Sequence, residues 1–197
     1  MWPLWIRGKH PPGDLYDPGA DGYPAECSHH EEGPGQNEID FRYSDPLTAA
    51  DNAVTFCSIV KTVAARNGLW ADFSPKPLSN RAGSGLHINF SVKGPEGTDP
   101  LPHVIAGLLD QAYPLTAFLN PTANSYLRLG SSKAPGYITW SSENRSQLIR
   151  IPAAVGEFRR RSCAPPTLGN PYLALPAHPR GTVRHQTGTH SPRPCRL

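Results

Sequence analysis

The chain has 197 residues, enough for one domain with a sizeable core, but Pro 23 and Gly 18 together exceed a fifth of it, so part of the chain lacks the composition of a packed interior. The net charge of +3 is unevenly placed: residues 158–197 hold seven Arg and no acid, whereas residues 28–157 hold ten Lys or Arg against twelve Asp or Glu. The basicity belongs to the tail, which gives no ground for a nucleic-acid partner. No apolar run approaches the roughly 18 residues of a membrane span and no basic segment leads into an apolar stretch, so the expectation is a cytoplasmic chain with no membrane partner. Cys27, Cys57, Cys163 and Cys195 lie far apart with no CxxC pair, which points to plain thiols rather than a zinc site or a disulfide framework.

Three zones separate by composition. Residues 1–27 are rich in Pro, Gly and Asp without periodicity and are expected to be disordered, residues 28–157 carry periodic patterns within an expected domain of residues 28–175, and residues 176–197 form a Pro/Arg-rich tail expected to be disordered. In the middle zone, Ser28–Glu31 and Gln36–Tyr43 flank Glu32-Gly33-Pro34-Gly35, a turn pattern that predicts a hairpin. Alternation puts Ile39, Phe41 and Tyr43 on one face, with Glu38, Asp40 and Arg42 on the other; His29 and Glu31 share a face of the preceding strand.

Asp45 before Pro46 predicts a helix start, and Ala50, Ala53, Val54, Cys57, Val60, Val63 and Ala64 recur at helical spacing until Gly68. Over Gly85–Val92 the apolar Leu86, Ile88, Phe90 and Val92 alternate with His87, Asn89 and Ser91, the pattern of a half-buried strand with one polar face. Residues 102–119 read as a helix broken or kinked at Pro114 and ended by Asn120-Pro121. Tyr137–Trp140 and Gln147–Ile151 complete the strands. Mixed elements with short links predict an α+β fold with an antiparallel sheet.

Polar residues on these faces suggest a chemistry. Glu31, Glu38 and His87 are ligand types for Mg2+ or Mn2+, and Arg128, Arg145 and Arg150 suit phosphate or carboxylate. Solvated strand acids and scattered solubility arginines would look the same in isolation.

Longer strings narrow the choice. SHHEEGPGQNEIDF (28–41), PKPL…AGSGLHINFS (75–91), NPTANSYLRLG (120–130) and ITWSSENRSQLIRIPAA (138–154) resemble, in order and spacing, the catalytic domain of type I glutamine synthetase, and NPYLAL (170–175) continues the likeness after a break. The resemblance implies an antiparallel curved sheet around a site for two divalent metals, ATP and glutamate. It implies an ATP-dependent ligase that forms γ-glutamyl phosphate and lets ammonia displace the phosphate. Glu31 and Glu38 then match ligands of the metal nearer glutamate, and His87 a ligand of the metal nearer ATP. Gly83 and Arg128 match glutamate-binding positions; Asn89, Ser91, Arg145 and Arg150 match positions facing ATP, with Arg128 and Arg145 catalytic. Preplaced cations of this kind suit a metaphosphate-like transition state.

Departures from the family pattern bear on activity. Lys133 stands before Ala134-Pro135, where the family carries a flap glutamate that takes a proton from ammonium; the inverted charge predicts impaired ligation. Residues 161–168 replace a Glu-x-Arg pair. RSCAPPT can be encoded so that a shifted frame reads ELRSPD, and DLYDPGADGY so that a shift reads ICMTLEQMG, which predicts frame slips at these breaks. The family's Glu-x-Glu ligands and small N-terminal domain have no counterpart, so the expectation is a truncated copy unable to form the family's ring homo-oligomers. Two other functions remain open: a catalytically dead binding or regulatory protein, and a γ-glutamyl-amine (polyamine) ligase.

Overall fold

The computed structural model describes residues 2–7, 25–90, 95, 98–131, 133–142, 144, 146–151, 161–163, 170–174 and 195–196. Strands β1 (Trp2–Arg7), β2 (Ala25–His30), β3 (Gln36–Phe41) and β4 (Trp70–Asp72) form one sheet in the order β2-β3-β1-β4. All of its pairings are antiparallel. β1 arises in the zone that composition sets apart, and it takes the place between β3 and β4.

Helix α1 (Pro46–Arg66) covers this sheet. It begins where the Asp45 carboxylate accepts the backbone N–H groups of Leu47 and Thr48 at 3.1 Å, satisfying two of the donors that a helix start leaves open. It ends at Asn67, and Gly68 takes φ +67°, a left-handed conformation that glycine adopts without a Cβ penalty. Its buried stripe is Ala50, Ala53, Phe56, Val60 and Ala64. The sequence pattern had placed Val54 on this stripe, but Val54 is exposed and Phe56 sits at the centre. Phe56 meets Phe41 edge-on at 5.2 Å and Phe73 at 6.0 Å, joining the helix to β3 and to the segment after β4. The apolar face of β3 is thus fixed to the core, and its polar face must turn the other way.

Helix α2 (Leu101–Leu119) runs without interruption through Pro114. A mid-helix proline removes one N–H and strands the carbonyl four residues back. Both Asp110 and Pro114 are exposed, so water can serve that carbonyl and the helix need not break. The buried side of α2 packs through Leu101, Val104, Ile105, Leu108, Leu109 and Ala112 on Ile138 and Ile149. Asn120 ends it as expected, and a short helix α3 (Ala123–Arg128) follows.

Strand β5 (Ile88–Phe90) is shorter than the predicted strand, and residues 91–92 lie outside the described residues. It belongs to a sheet with β7 (Trp140–Ser141), β8 (Ile149–Arg150) and β9 (Arg161–Cys163), in the order β5-β9-β8-β7. β9 pairs antiparallel with both neighbours, whereas β7 and β8 run parallel. β6 (Tyr137–Ile138) pairs with β10 (Cys195–Arg196). The architecture is α+β, as the pattern of elements predicts.

Candidate active site

The β2–β3 hairpin turns through Gly33-Pro34-Gly35, closed by Gln36 N–H donating to Gly33 at 2.9 Å and Glu31 N–H donating to Gln36 at 3.0 Å. Gly35 adopts φ +75°. In this register His29 lies opposite Glu38. Residues directly opposed in an antiparallel pair share a face, and so do residues two apart on one strand, so His29, Glu31 and Glu38 stand together on the face away from Ile39. One ligand atom from each lies within 4.8 Å of the other two.

Glu38 is 4% exposed, and its Oε1 meets no hydrogen-bond partner among the described residues. Burial, then the neighbouring Glu31 carboxylate, push its pKa up to about 8. Burial also raises Glu31, but hydrogen bonds from Glu38 and from the Glu32 N–H, with the charge of His29, outweigh it and leave Glu31 below the usual carboxylate range. The pair therefore shares a proton and behaves as one titrating unit. A divalent cation is the natural replacement for that proton.

Gln36, 2% exposed, ties this hairpin to a second element. Its side-chain amide donates to the Gly83 carbonyl and contacts the Ser84 hydroxyl, both at 3.2 Å, while its own carbonyl accepts the Gly33 N–H at 3.0 Å. The loop it holds is the bed of Arg128. A Cβ on Gly83 would come within 2.9 Å of the Arg128 stem, and one on Gly85 within 2.2 Å of its Nη2. Only glycine at both positions leaves room for that side chain. Arg128 is 6% exposed at the end of α3, and burial pulls its pKa down to about 10, so it stays charged at neutral pH. Its Nη1 meets no hydrogen-bond partner among the described residues. A buried, unpaired guanidinium nitrogen is costly, and a carboxylate is the ligand whose geometry offsets it.

His87 links the two halves. Burial first, and then nearby positive charges that include Arg128 and Arg150, lower its pKa to about 4 against the opposing charge of Glu31. The imidazole is therefore neutral near pH 7, the form that ligates metals. Arg150, half-buried on β8, and Asn89, exposed on β5, are the described residues of the expected nucleotide side. Ser91 and Arg145 lie outside the described residues.

Lys133 projects from a tight loop in which Gly130 N–H donates to Pro135 at 3.1 Å and Ala134 N–H to Ser131 at 2.9 Å. Its ammonium pairs with Glu32, the neighbour of Glu31. This loop therefore reaches the carboxylate hairpin.

His87 lies within electrostatic reach of Glu31, Arg128 and Arg150, Glu31 lies beside Glu38, and Gly83 lies under Arg128. The sequence reading missed Gln36 and Gly85, and it noted His29 without a role. A buried glutamine leaves no mark in a hydrophobic pattern. For Gly85 the spacing of two glycines around Ser84 was the available clue. For His29, its shared face with Glu31 was.

Residues 19–181 match the family model of the glutamine synthetase catalytic domain, and the chain belongs to that family. It is 47% identical over 172 residues to glutamine synthetase of Staphylococcus epidermidis, covering 79% of this chain and 38% of that protein. Identity to the Staphylococcus aureus enzyme is 46% over 172 residues, with the same coverage. The cryo-EM structure of Plasmodium falciparum glutamine synthetase superposes with a TM-score of 0.77 at 27% identity, over 85% of this chain and 36% of that one. Apo GmaS superposes with a TM-score of 0.75 at 34% identity, over 91% and 44%. The chain thus spans 38% of the length of these staphylococcal relatives.

Proposed function

We propose that this chain carries part of an ATP-dependent glutamate–ammonia ligase site, acting in the cytoplasm. The observation that carries the reading is that two buried atoms of charged groups, Glu38 Oε1 and Arg128 Nη1, meet no hydrogen-bond partner among the described residues. The first fits Mg2+ or Mn2+ and the second the carboxylate of L-glutamate. Glu31 and Glu38 would hold one cation and His87 another. Bound there, a divalent ion would neutralise the carboxylate pair and draw electron density from phosphoryl oxygens.

Arg128, gripped between Gly83 and Gly85, orients glutamate so that a γ-carboxylate oxygen faces the γ-phosphorus of ATP. A new oxygen–phosphorus bond forms as the bond to ADP breaks; ammonia then bonds to the acyl carbon and phosphate leaves. Arg150 would offer positive charge to the transferring group; by the family resemblance Arg145 would add to it and Asn89 and Ser91 would face the nucleotide.

Lys133 favours a second reading, in which the chain binds these ligands and turns over poorly. A lysine paired with Glu32 supplies no base for ammonium. Phosphate release from ATP with glutamate, measured with and without ammonium, separates the readings. Ligation predicts an ammonium-dependent rate that rises on Lys133→Glu. Binding alone predicts a rate that ammonium does not change in either protein. Absence of both glutamate and ATP binding would overturn the two together.

A further inference from the structure

We infer that His29 is a third ligand to the cation held by Glu31 and Glu38, so that the hairpin presents one imidazole and two carboxylates to a single ion. The inference rests on the reading of Glu31 and Glu38 as a cation site and adds to it the class of ion that the site selects.

Three observations converge. The first is register: His29 faces Glu38 across the hairpin and lies two residues from Glu31, so the pleat brings all three side chains to one face. The second is spacing. His29 Nε2 is 3.4 Å from Glu31 Oε1 and 3.6 Å from Glu38 Oε2. These separations exceed an ordinary N–H···O hydrogen bond of about 2.9 Å. Two donor atoms each about 2.1 Å from one ion stand roughly 3.0–3.4 Å apart for angles between octahedral and tetrahedral. His29 Nε2 thus needs to close by only a few tenths of an ångström on either carboxylate to share an ion with it, and the three ligand atoms all lie within 4.8 Å of one another. The third is the buried Oε1 of Glu38, which has no partner among the described residues while Oε2 faces the imidazole.

Side-chain chemistry sets the ion. Carboxylates alone suit Mg2+, whereas an imidazole nitrogen shifts preference toward Mn2+, Co2+ and Zn2+ along the order of divalent affinities. His29 is half exposed, so its ligand atom can be reached from solvent and its replacement leaves the core intact.

The test uses the full chain with less than one equivalent of Mn2+ and reads imidazole nitrogen coupling to bound manganese by pulsed electron paramagnetic resonance. The wild-type protein is expected to show nitrogen modulation, which His29→Gln abolishes and His87→Gln retains. Mn2+ affinity should fall at least about tenfold in His29→Gln, while Mg2+ affinity changes little. His29→Asp, which supplies oxygen instead, should keep Mn2+ without the nitrogen signal, so the test survives loss of binding in His29→Gln. Nitrogen modulation that persists in His29→Gln, or that disappears only in His87→Gln, would overturn the role of His29 and leave the cation site standing. Failure of the wild-type chain to bind Mn2+ would overturn both.

Discussion

Arg128 and Glu38 are buried to nearly the same degree, 6% and 4% exposed, yet they meet the cost of burial in opposite ways. Arg128 keeps its charge, because even a pKa lowered to about 10 leaves the guanidinium protonated at neutral pH. Glu38 gives its charge up, because burial and a second carboxylate hold its proton to about pH 8. Cys57, on α1 and away from any ligand, shows the third outcome: burial pushes its thiol up to about 12, and it never ionises under ordinary conditions. Burial alone therefore does not mark a site. Arg128 and Glu38 differ from Cys57 in that each has one atom of its charged group that meets no hydrogen-bond partner among the described residues.

That contrast can be broken most directly at Arg128. Arg128→Met keeps an unbranched stem between the two glycines and removes the charge. Glutamate affinity should fall by about 2–5 kcal/mol, the usual cost of deleting one partner of a desolvated charge pair. Thermal stability of the ligand-free protein should rise by about 1 kcal/mol, since a buried guanidinium whose Nη1 meets no partner among the described residues has gone. Calorimetric titration with glutamate and thermal unfolding check the two halves, and a protein destabilised by the change would mean that the guanidinium is a structural strut.

The glycine bed sharpens the same point with smaller effects. An added Cβ at Gly83 would lie 2.6 Å from the Pro75 carbonyl oxygen, a backbone atom that cannot swing away. Gly83→Ala should lower stability by about 1–3 kcal/mol. At Gly85 the nearest atom is Arg128 Nη2, the far end of a side chain. Gly85→Ala should therefore displace the guanidinium and weaken glutamate binding about tenfold or more, with under about 1 kcal/mol lost in stability. Equal stability losses in the two variants would contradict this division.

Cys57 carries the smallest effect. A thiol whose folded pKa lies above its unfolded value of 9 contributes stability below pH 9, and that contribution is lost as pH rises toward 12. Alkylation of Cys57 followed by mass spectrometry at pH 8 should be slow in the folded protein and fast in denaturant. Fast labelling of the folded chain would show that the thiol is more accessible than its half-buried place on α1 allows.

Much of this arrangement was legible before any coordinates. Strict alternation over residues 36–41 separates Ile39 from Glu38, because a period of two leaves a strand no other choice once one face is buried. The Asp45-Pro46 start and Gly68 stop of α1 follow from local hydrogen bonding and backbone sterics. Arg128 was identified through the likeness of NPTANSYLRLG to a family motif, but its burial was not, because that depends on Gly83 and Gly85 more than forty residues earlier. Gln36 was invisible for the same reason: its partners, Gly83 and Ser84, lie across the fold. The helix through Pro114 shows a local rule overridden, since an exposed carbonyl can find water and the rest of α2 has a core to cover.

The central claim is that the hairpin carboxylates and Arg128 serve one ligand complex. Carbon-13 relaxation of glutamate labelled at its γ-carboxylate, recorded with the chain and Mn2+, tests it most directly. Strong paramagnetic enhancement is expected, and it should vanish in Glu38→Gln for want of bound metal and in Arg128→Met for want of bound glutamate. Glutamate that binds through Arg128 while its γ-carbon remains unaffected by bound Mn2+ would show that the two halves are separate sites, and the account would fall.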